Sequence, residues 1–195
     1  MIRKLFAAAA LMAGAAASAA PVFSDNFDND TLGLNTTVFL GGWTVSNGTV
    51  DTIGNPNFFD EIPGNGRYID LDGSTSHAGV FSNSVNLAAG TTYVMTFSLA
   101  GNHRGYSADT VDVAFGSSTA QYVLNSSDAL TQYSVSFTTG AGGATAFSFH
   151  NHGGDNVGAL LDNVSIAAVP EPETYAMLLA GLGALGFAAR RRRNG

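Results

Sequence analysis

The sequence predicts an all-β protein, a two-sheet antiparallel β-sandwich or jelly roll set between two apolar ends. Three observations carry this. Between Val22 and Ile166 no stretch of a dozen residues repeats its apolar side chains at the 3.6-residue helical spacing. Short runs that alternate apolar and polar residues recur instead, and Gly, Asn, Asp and Ser separate them. About ten or eleven such runs fit between the two ends, a number that suits two packed sheets.

Taken in order, the chain begins with a label. Arg3 and Lys4 precede an apolar run from Leu5 to Ala17, and Ala17-Ser18-Ala19 supplies small residues at cleavage spacing. Residues 1–19 therefore read as a secretory signal peptide, helical while it lasts. The cut is expected after Ala19, because a cut after Ala20 puts the Pro21 ring just past the scissile bond. Residues 20–168 then form the sandwich.

Its first strand is Phe23–Phe27. Trp43–Ser46 and Thr49–Ile53 flank Asn47-Gly48, whose residues both tolerate positive φ, so a hairpin is expected there. Arg67–Asp72 and Ala78–Ser82 follow. The clearest alternation is Thr92–Leu99, with Tyr93, Met95, Phe97 and Leu99 inward and Thr92, Thr96 and Ser98 outward. Val111, Val113 and Phe115 repeat the pattern, as do Gln121–Leu124, then Tyr133, Val135 and Phe137 within Gln132–Thr138, and then Phe147 with Phe149. Leu160–Ile166 closes the series. Trp43, lying in a strand, is expected in the core.

Composition excludes several functions. The 195 residues contain no Cys, which removes a thiol nucleophile, a Cys zinc site and a disulfide scaffold. Between the two ends, thirteen Asp and Glu face only Arg67 and Arg104. A surface so acidic repels phosphate backbones, so nucleic acid is not an expected partner. No GxSxG elbow or P-loop is present, and the Gly140–Gly143 stretch neither follows a nucleotide-site strand nor opens a helix. Asp60 and Glu61 are adjacent on an extended chain and point apart, which is unsuitable for a glycosidase pair. No catalytic residues are expected.

The other end, 169–195, has three parts in order. Val169-Pro170-Glu171-Pro172-Glu173-Thr174 leads into the apolar run Tyr175–Ala189, and Arg190–Arg193 ends it. Fifteen residues make a helix of about 22 Å, short against a bilayer core of about 30 Å. The four arginines would hold the tail on the cytoplasmic side and leave the sandwich outside. This arrangement resembles the PEP-CTERM sorting signal of Gram-negative bacteria, with Pro170, Glu171 and Pro172 as its namesake motif. The resemblance implies a transient inner-membrane anchor through a single membrane-spanning helix, then processing by an exosortase. It also implies export to the cell surface or the exopolysaccharide matrix.

A second resemblance covers the middle. Phe27-Asp28, Gly42-Trp43-Thr44-Val45 with Gly48-Thr49-Val50-Asp51, Arg67-Tyr68-Ile69-Asp70-Leu71-Asp72-Gly73 and Leu161-Asp162-Asn163-Val164-Ser165-Ile166 occur in that order. The pattern is similar to the galactose-binding-like jelly rolls, which include many carbohydrate-binding modules and DUF642-type domains. It implies a lectin-like or matrix-binding module and implies no catalysis by itself.

Asp162 is the residue with the sharpest chemistry. Simple alternation puts it on the face of Leu160, Val164 and Ile166, where a carboxylate needs backbone N–H donors or a cation. The sandwich has no Lys, so a hard cation is one expected partner and capping of nearby amides is the other. The resembling jelly rolls often hold a structural Ca²⁺ between first and last strands, using an acidic residue just after the first-strand Phe. Asp28 occupies that place as an Asp where Glu is common, and Asp25 is a second candidate. Backbone carbonyls would complete the coordination calcium takes.

His150 and His152 share a strand face and could chelate a transition metal with Asp155 or His103 as third ligand. A polar loop accounts for them equally. Sugar recognition calls for an aromatic face with directional polar groups. The candidate loops are Asn57-Phe58-Phe59-Asp60-Glu61, with its rings between Pro56 and Pro63, then His77, and Asn102-His103-Arg104-Gly105-Tyr106, in which Arg104 and Tyr106 stand first. The alternative is that these rings plug an open end of the sandwich. Two functions follow: a module that binds extracellular polysaccharide, or a structural component of a matrix or surface coat without a specific ligand. An enzyme acting on matrix glycans is a distant third.

Overall fold

The computed structural model describes residues 19–170, 179–183, 185–186 and 189–190. The expected signal segment up to Ser18 and the motif residues Glu171 and Pro172 lie outside the described residues. The described tail residues are helical, and no described helix is long and apolar enough to cross a membrane. Residues Ala20–Val169 form a compact unit of their own. That unit contains every strand and both hydrophobic clusters of the described chain, the requirement for folding independently.

The unit is a sandwich of two antiparallel sheets, as the alternation predicts. In chain order its strands are β1 (Pro21–Asp25), β2 (Thr44–Ser46), β3 (Asp51–Gly54), β4 (Arg67–Asp70), β5 (Val80–Leu87), β6 (Thr92–Ala100), β7 (Asp109–Phe115), β8 (Ser118–Leu124), β9 (Thr131–Thr138), β10 (Gly143–Asn151) and β11 (Leu160–Ala168). A six-stranded sheet runs β3-β4-β11-β6-β9, with β1 also on β11, and a five-stranded sheet runs β2-β5-β10-β7-β8. β11 gives the start of one edge to β4, at Leu160 and Leu161, and the rest to β1, from Val164 to Ala167.

The inward set matches the sequence reading. Tyr93, Met95, Phe97 and Leu99 of β6 meet Val111, Val113 and Phe115 of β7 and Phe147 and Phe149 of β10 in one buried cluster. Trp43 lies in this core and stacks on Phe81, with ring centroids 4.3 Å apart and planes at 6°. Phe147 meets the same indole edge-on at 5.1 Å. Each buried side chain of this size contributes about 1.5–3 kcal/mol. A smaller cluster of Ile53, Tyr68, Ala100 and Leu160 lies apart, with Phe58, Ile62 and Leu130 packed on it.

Two expectations are corrected. Asn47-Gly48 does not close a hairpin: β2 pairs with β5 in one sheet and β3 with β4 in the other. Asn47 and Gly48 do take positive φ, 53° and 142°, but they turn the chain from one sheet to its partner. The turn takes the expected positive φ at both residues but joins different strand partners, because dipeptide geometry does not encode which sheet each strand joins.

The second correction concerns Asp162. In the β11–β6 ladder Asp162 pairs with Ser98 and Ser165 with Thr96, so Asn163 and Val164 together oppose Phe97 alone. This is a β-bulge, with Asn163 at φ 53°, a conformation Asn adopts more readily than most residues. It reverses the alternation midway. Leu161, Val164 and Ile166 point into the main core, while Asp162 points out of the sandwich beside Ser98. Asp162 is nonetheless only 2% exposed.

Candidate functional site

The β3–β4 loop (55–66) carries most of the candidate ligand residues, and its folding explains their positions. Gly54 and Phe58 exchange two backbone hydrogen bonds, which curls the start of the loop back on β3. The buried Tyr68 hydroxyl holds the middle: it accepts the amides of Glu61 at 2.5 Å and Ile62 at 2.9 Å and donates to Asp60 Oδ1 at 3.1 Å. Burial pushes this phenol up to about 12 despite the two amide donors, so it stays protonated and can donate. Phe58 packs partly into the small cluster, whereas Phe59, at φ 49°, is turned out and 51% exposed. The two rings meet edge to face at 5.1 Å.

The β6–β7 loop (101–108) supplies the rest. Buried Asn102 acts as its staple, donating to Ser107 O at 3.0 Å and Asp109 Oδ2 at 2.9 Å and accepting the Arg104 amide at 3.1 Å. His103 is spent on the β8–β9 connection. Its amide donates to Ser126 O at 2.8 Å and its ring Nε2 lies 3.0 Å from Asp128 O.

These two loops bring Arg104, Phe59 and Glu61 together. Arg104 Nε donates to Glu61 Oε1 at 2.9 Å, and the guanidinium carbon lies 5.5 Å from the centre of the Phe59 ring. Arg104 Nη2 is also 4.0 Å from Asp70 Oδ2. Asp70 is buried, and burial drives its carboxyl well above the ordinary range; the Asp72 and Gly158 amides and the Arg104 charge oppose that shift. Tyr106, on the same loop as Arg104, is 49% exposed. The result is a half-exposed apolar ring with a fixed cation over it and a carboxylate beside that cation, and such a surface can take the C–H face and the hydroxyls of a sugar together.

Phe58 thus packs inward as a plug, whereas Phe59 is turned out to solvent. His103 serves as a loop tie. Glu61 stands in a candidate loop already, but its pairing with Arg104 is not legible in the sequence, because a contact between separate loops leaves no local signal.

The expected metal residues gather where β1 meets β11: Asp162 points out of the sandwich, whereas Asp25 ends β1 on the face of Phe23 and reaches Trp43. Asp162 Oδ2 accepts Asn65 Nδ2 at 2.7 Å and Asn163 Nδ2 at 3.0 Å, and its Oδ1 accepts the Asn163 amide at 2.6 Å. Burial pushes the Asp162 carboxyl up to about 6. The Asn65 and Asn163 donors oppose this, and the charges of Asp28 and Asp25 add to it. Asp28 Oδ1 accepts the Arg67 amide at 2.9 Å and its Oδ2 accepts Asn26 Nδ2 at 2.7 Å. Gly66 makes room for it: at φ 94°, a Cβ there would fall 2.0 Å from Asp28 Oδ1. Asp25 Oδ2 accepts Trp43 Nε1 at 3.0 Å, linking this group to the aromatic core. Asp162 senses the charges of the other two, and each of the three is held by N–H donors. Among the described residues they are not a set whose ligand atoms all approach within 4.8 Å. A groove of about 620 Å³ opens beside them, lined by Asp25, Asn26, Asn163 and Gln132 among others.

Comparison with known proteins fits this geometry. A family model described as a protein of unknown function, DUF642, matches residues 24–167. The chain belongs to the DUF642 family. The PEP-CTERM protein-sorting motif matches residues 168–193, marking an exported protein processed at the cell envelope. A search of the curated proteins finds no match.

Among solved structures, this DUF642 chain is similar to the CBM22-1 xylan-binding domain of Paenibacillus barcinonensis Xyn10C. The identity is 15% and the TM-score 0.53, over 80% of this chain and 99% of that one. The CBM22-1–CBM22-2 tandem of the same protein gives 18% and 0.54, over 82% and 49%. An arabinose-bound α-L-arabinofuranosidase, MgGH51, gives 14% and 0.53 over 80% of this chain but 27% of that one. At such identities the likeness establishes the fold alone, a two-sheet β-sandwich of the jelly-roll type.

Proposed function

We propose that this DUF642 protein is a non-catalytic carbohydrate-binding module. It is cut by an exosortase and works at the cell surface or in the exopolysaccharide matrix of a Gram-negative bacterium. The observation that carries the reading is the half-exposed Phe59 ring with Arg104 fixed over it by Glu61. Phe59 stacks on a pyranose face, Arg104 and Glu61 bond its hydroxyls, and Tyr106 extends the surface. Phe58 and His103 support the two loops. The carbohydrate-binding-module fold and the sorting motif support the same reading. Before processing, the tail helix holds the protein in the inner membrane.

The test is a glycan array with residues 20–169, with and without calcium. Binding to polysaccharide that Phe59→Ala removes supports the proposal. A blank array in both conditions favours the alternative, a structural component of the matrix or coat, for which the acidic, Lys-free sandwich is the supporting observation. Turnover of a polysaccharide would point to an enzyme.

Calcium belongs to the proposal as a structural ion. Asp162 is charge-coupled to Asp28 and Asp25 without a Lys or Arg salt bridge among the described residues, and a hard oxygen-seeking cation suits such a group. Its role there is neutralisation of the like charge that Asp28 and Asp25 set around the buried Asp162, holding the first and last strands together.

A further inference from the structure

We infer that Asp112, His150 and His152 form a first-row transition-metal site on the outer face of the five-stranded sheet. The register builds it. His150 lies directly opposite Asp112 in the β10–β7 ladder, and Asp112 lies directly opposite Gln121 in the β7–β8 ladder. The ladder continues one residue past β10, where the His152 amide donates to Thr110 O at 2.8 Å. His152 therefore stays on the face of His150, with the two ring centroids 5.8 Å apart. One ligand atom from each of the three side chains lies within 4.8 Å of the others. His152 Nε2 and Asp112 Oδ2 are already 2.6 Å apart.

The donor set selects the ion. Two imidazole nitrogens and one carboxylate oxygen suit Zn²⁺, Co²⁺, Ni²⁺ or Cu²⁺, whereas Ca²⁺ and Mg²⁺ prefer oxygen alone. The carboxylate is also oriented for the task. Gln121 Nε2 donates to Asp112 Oδ1 at 2.8 Å, which leaves Oδ2 facing the histidines. Partners of this second rank fix a ligand's direction and strengthen metal binding. The His152 and Asp112 side chains are 48% and 49% exposed, so an ion reaches them from solvent. All three ligands come from one sheet face, so the coordination positions on the far side stay open. They open onto a groove of about 540 Å³ that Asp112 and His150 line with Gln121 and Ser148. An ion here is an accessible site for an oxygen ligand. The site is independent of the loop surface at Phe59 and Arg104.

Sequence alone proposed Asp155 or His103 as the third ligand. His103 is tied to Asp128 O, and Asp155 Oδ1 caps the Val157 amide at 2.9 Å. Asp112, on a neighbouring strand, takes the place.

The test is isothermal titration of untagged residues 20–169 with Zn²⁺ at pH 7.5, and with Co²⁺ for its visible absorption. One ion per chain is expected, with Co²⁺ bands that identify mixed nitrogen and oxygen ligation. His150→Ala, His152→Ala and Asp112→Asn should each weaken binding by at least about 10-fold, and Gln121→Ala by about 10-fold. Melting curves of these solvent-facing variants confirm that they remain folded. Absence of stoichiometric Zn²⁺ binding, or binding unchanged in the folded His150→Ala/His152→Ala double variant, would overturn the inference.

Discussion

Arg104 and Glu61 are joined at 2.9 Å across two loops that share no sequence neighbourhood, and the Phe59 ring lies under the same guanidinium at 5.5 Å. The pair turns two mobile side chains into a fixed polar edge beside an apolar face. Arg104 Nη2 also lies 4.0 Å from the buried Asp70 carboxyl, so one residue links the candidate recognition surface to the interior.

That double duty separates two variants. Phe59→Ala removes a half-exposed ring and should shift stability by about 0.5 kcal/mol. Its polysaccharide affinity should fall by about 10-fold or more, the equivalent of about 1.4 kcal/mol. Arg104→Ala should weaken binding similarly, but it also breaks the part-buried bond to Glu61 that ties the two loops and should cost about 1 kcal/mol of folding stability as well. Urea melts beside affinity electrophoresis read both quantities.

Tyr68→Phe tests how the loop is held. The hydroxyl accepts two amides and donates to Asp60, and all three bonds are lost. A cost of about 1–3 kcal/mol is expected. Affinity for polysaccharide should fall too, although Tyr68 itself is 0% exposed and touches no ligand.

The response to pH has a definite sign. Burial raises Asp72 and Asp162 to about 6 and also raises Asp30, Asp70 and Asp109. Unfolded, an Asp titrates near 3.9, so between these values the folded protein binds more protons than the unfolded chain. The stability these groups contribute is therefore fully present below about pH 4 and is lost as pH rises through about 6. Asp72 and Asp162 account for up to about 3 kcal/mol each. Chemical denaturation of calcium-free protein should show stability falling from pH 4 to 7. The Asp162→Asn variant should fall less steeply.

Calcium should oppose that loss at neutral pH. If an ion neutralises Asp162, Asp28 and Asp25, the melting temperature at pH 7 rises with added Ca²⁺ and falls with EDTA. A melting temperature indifferent to both removes the ion from the proposal and leaves the amide donors as the whole account of Asp162. Gly66→Ala should destabilise in either case, because its φ and the contact with Asp28 both reject a Cβ.

The strands were legible because burial on one face writes itself into the chain every second residue. Tyr93, Met95, Phe97 and Leu99 needed no other information. Period-two reasoning failed at Asp162, since one extra residue at Asn163 reverses the faces and no composition signal marks the reversal. The Asn47-Gly48 turn shows a similar limit, because positive φ specifies a sharp bend and leaves the choice of strand partner to the core. The candidate site was legible as residue types, Phe59 and Arg104 among them. Its organisation depended on Glu61 and Tyr68, which act across loops. Asp112 was illegible as a partner of His150 because ladder register joins residues far apart in sequence.

The most direct measurement is amide and side-chain NMR of residues 20–169 titrated with soluble exopolysaccharide from the producing cells. The account expects saturable shifts centred on Phe59, Glu61, the Arg104 Nε–H and Tyr106. Shifts confined to the sheet grooves, at Gln132 and Asn163 or at Ser148 and Gln121, would contradict it, as would a spectrum that no polysaccharide perturbs.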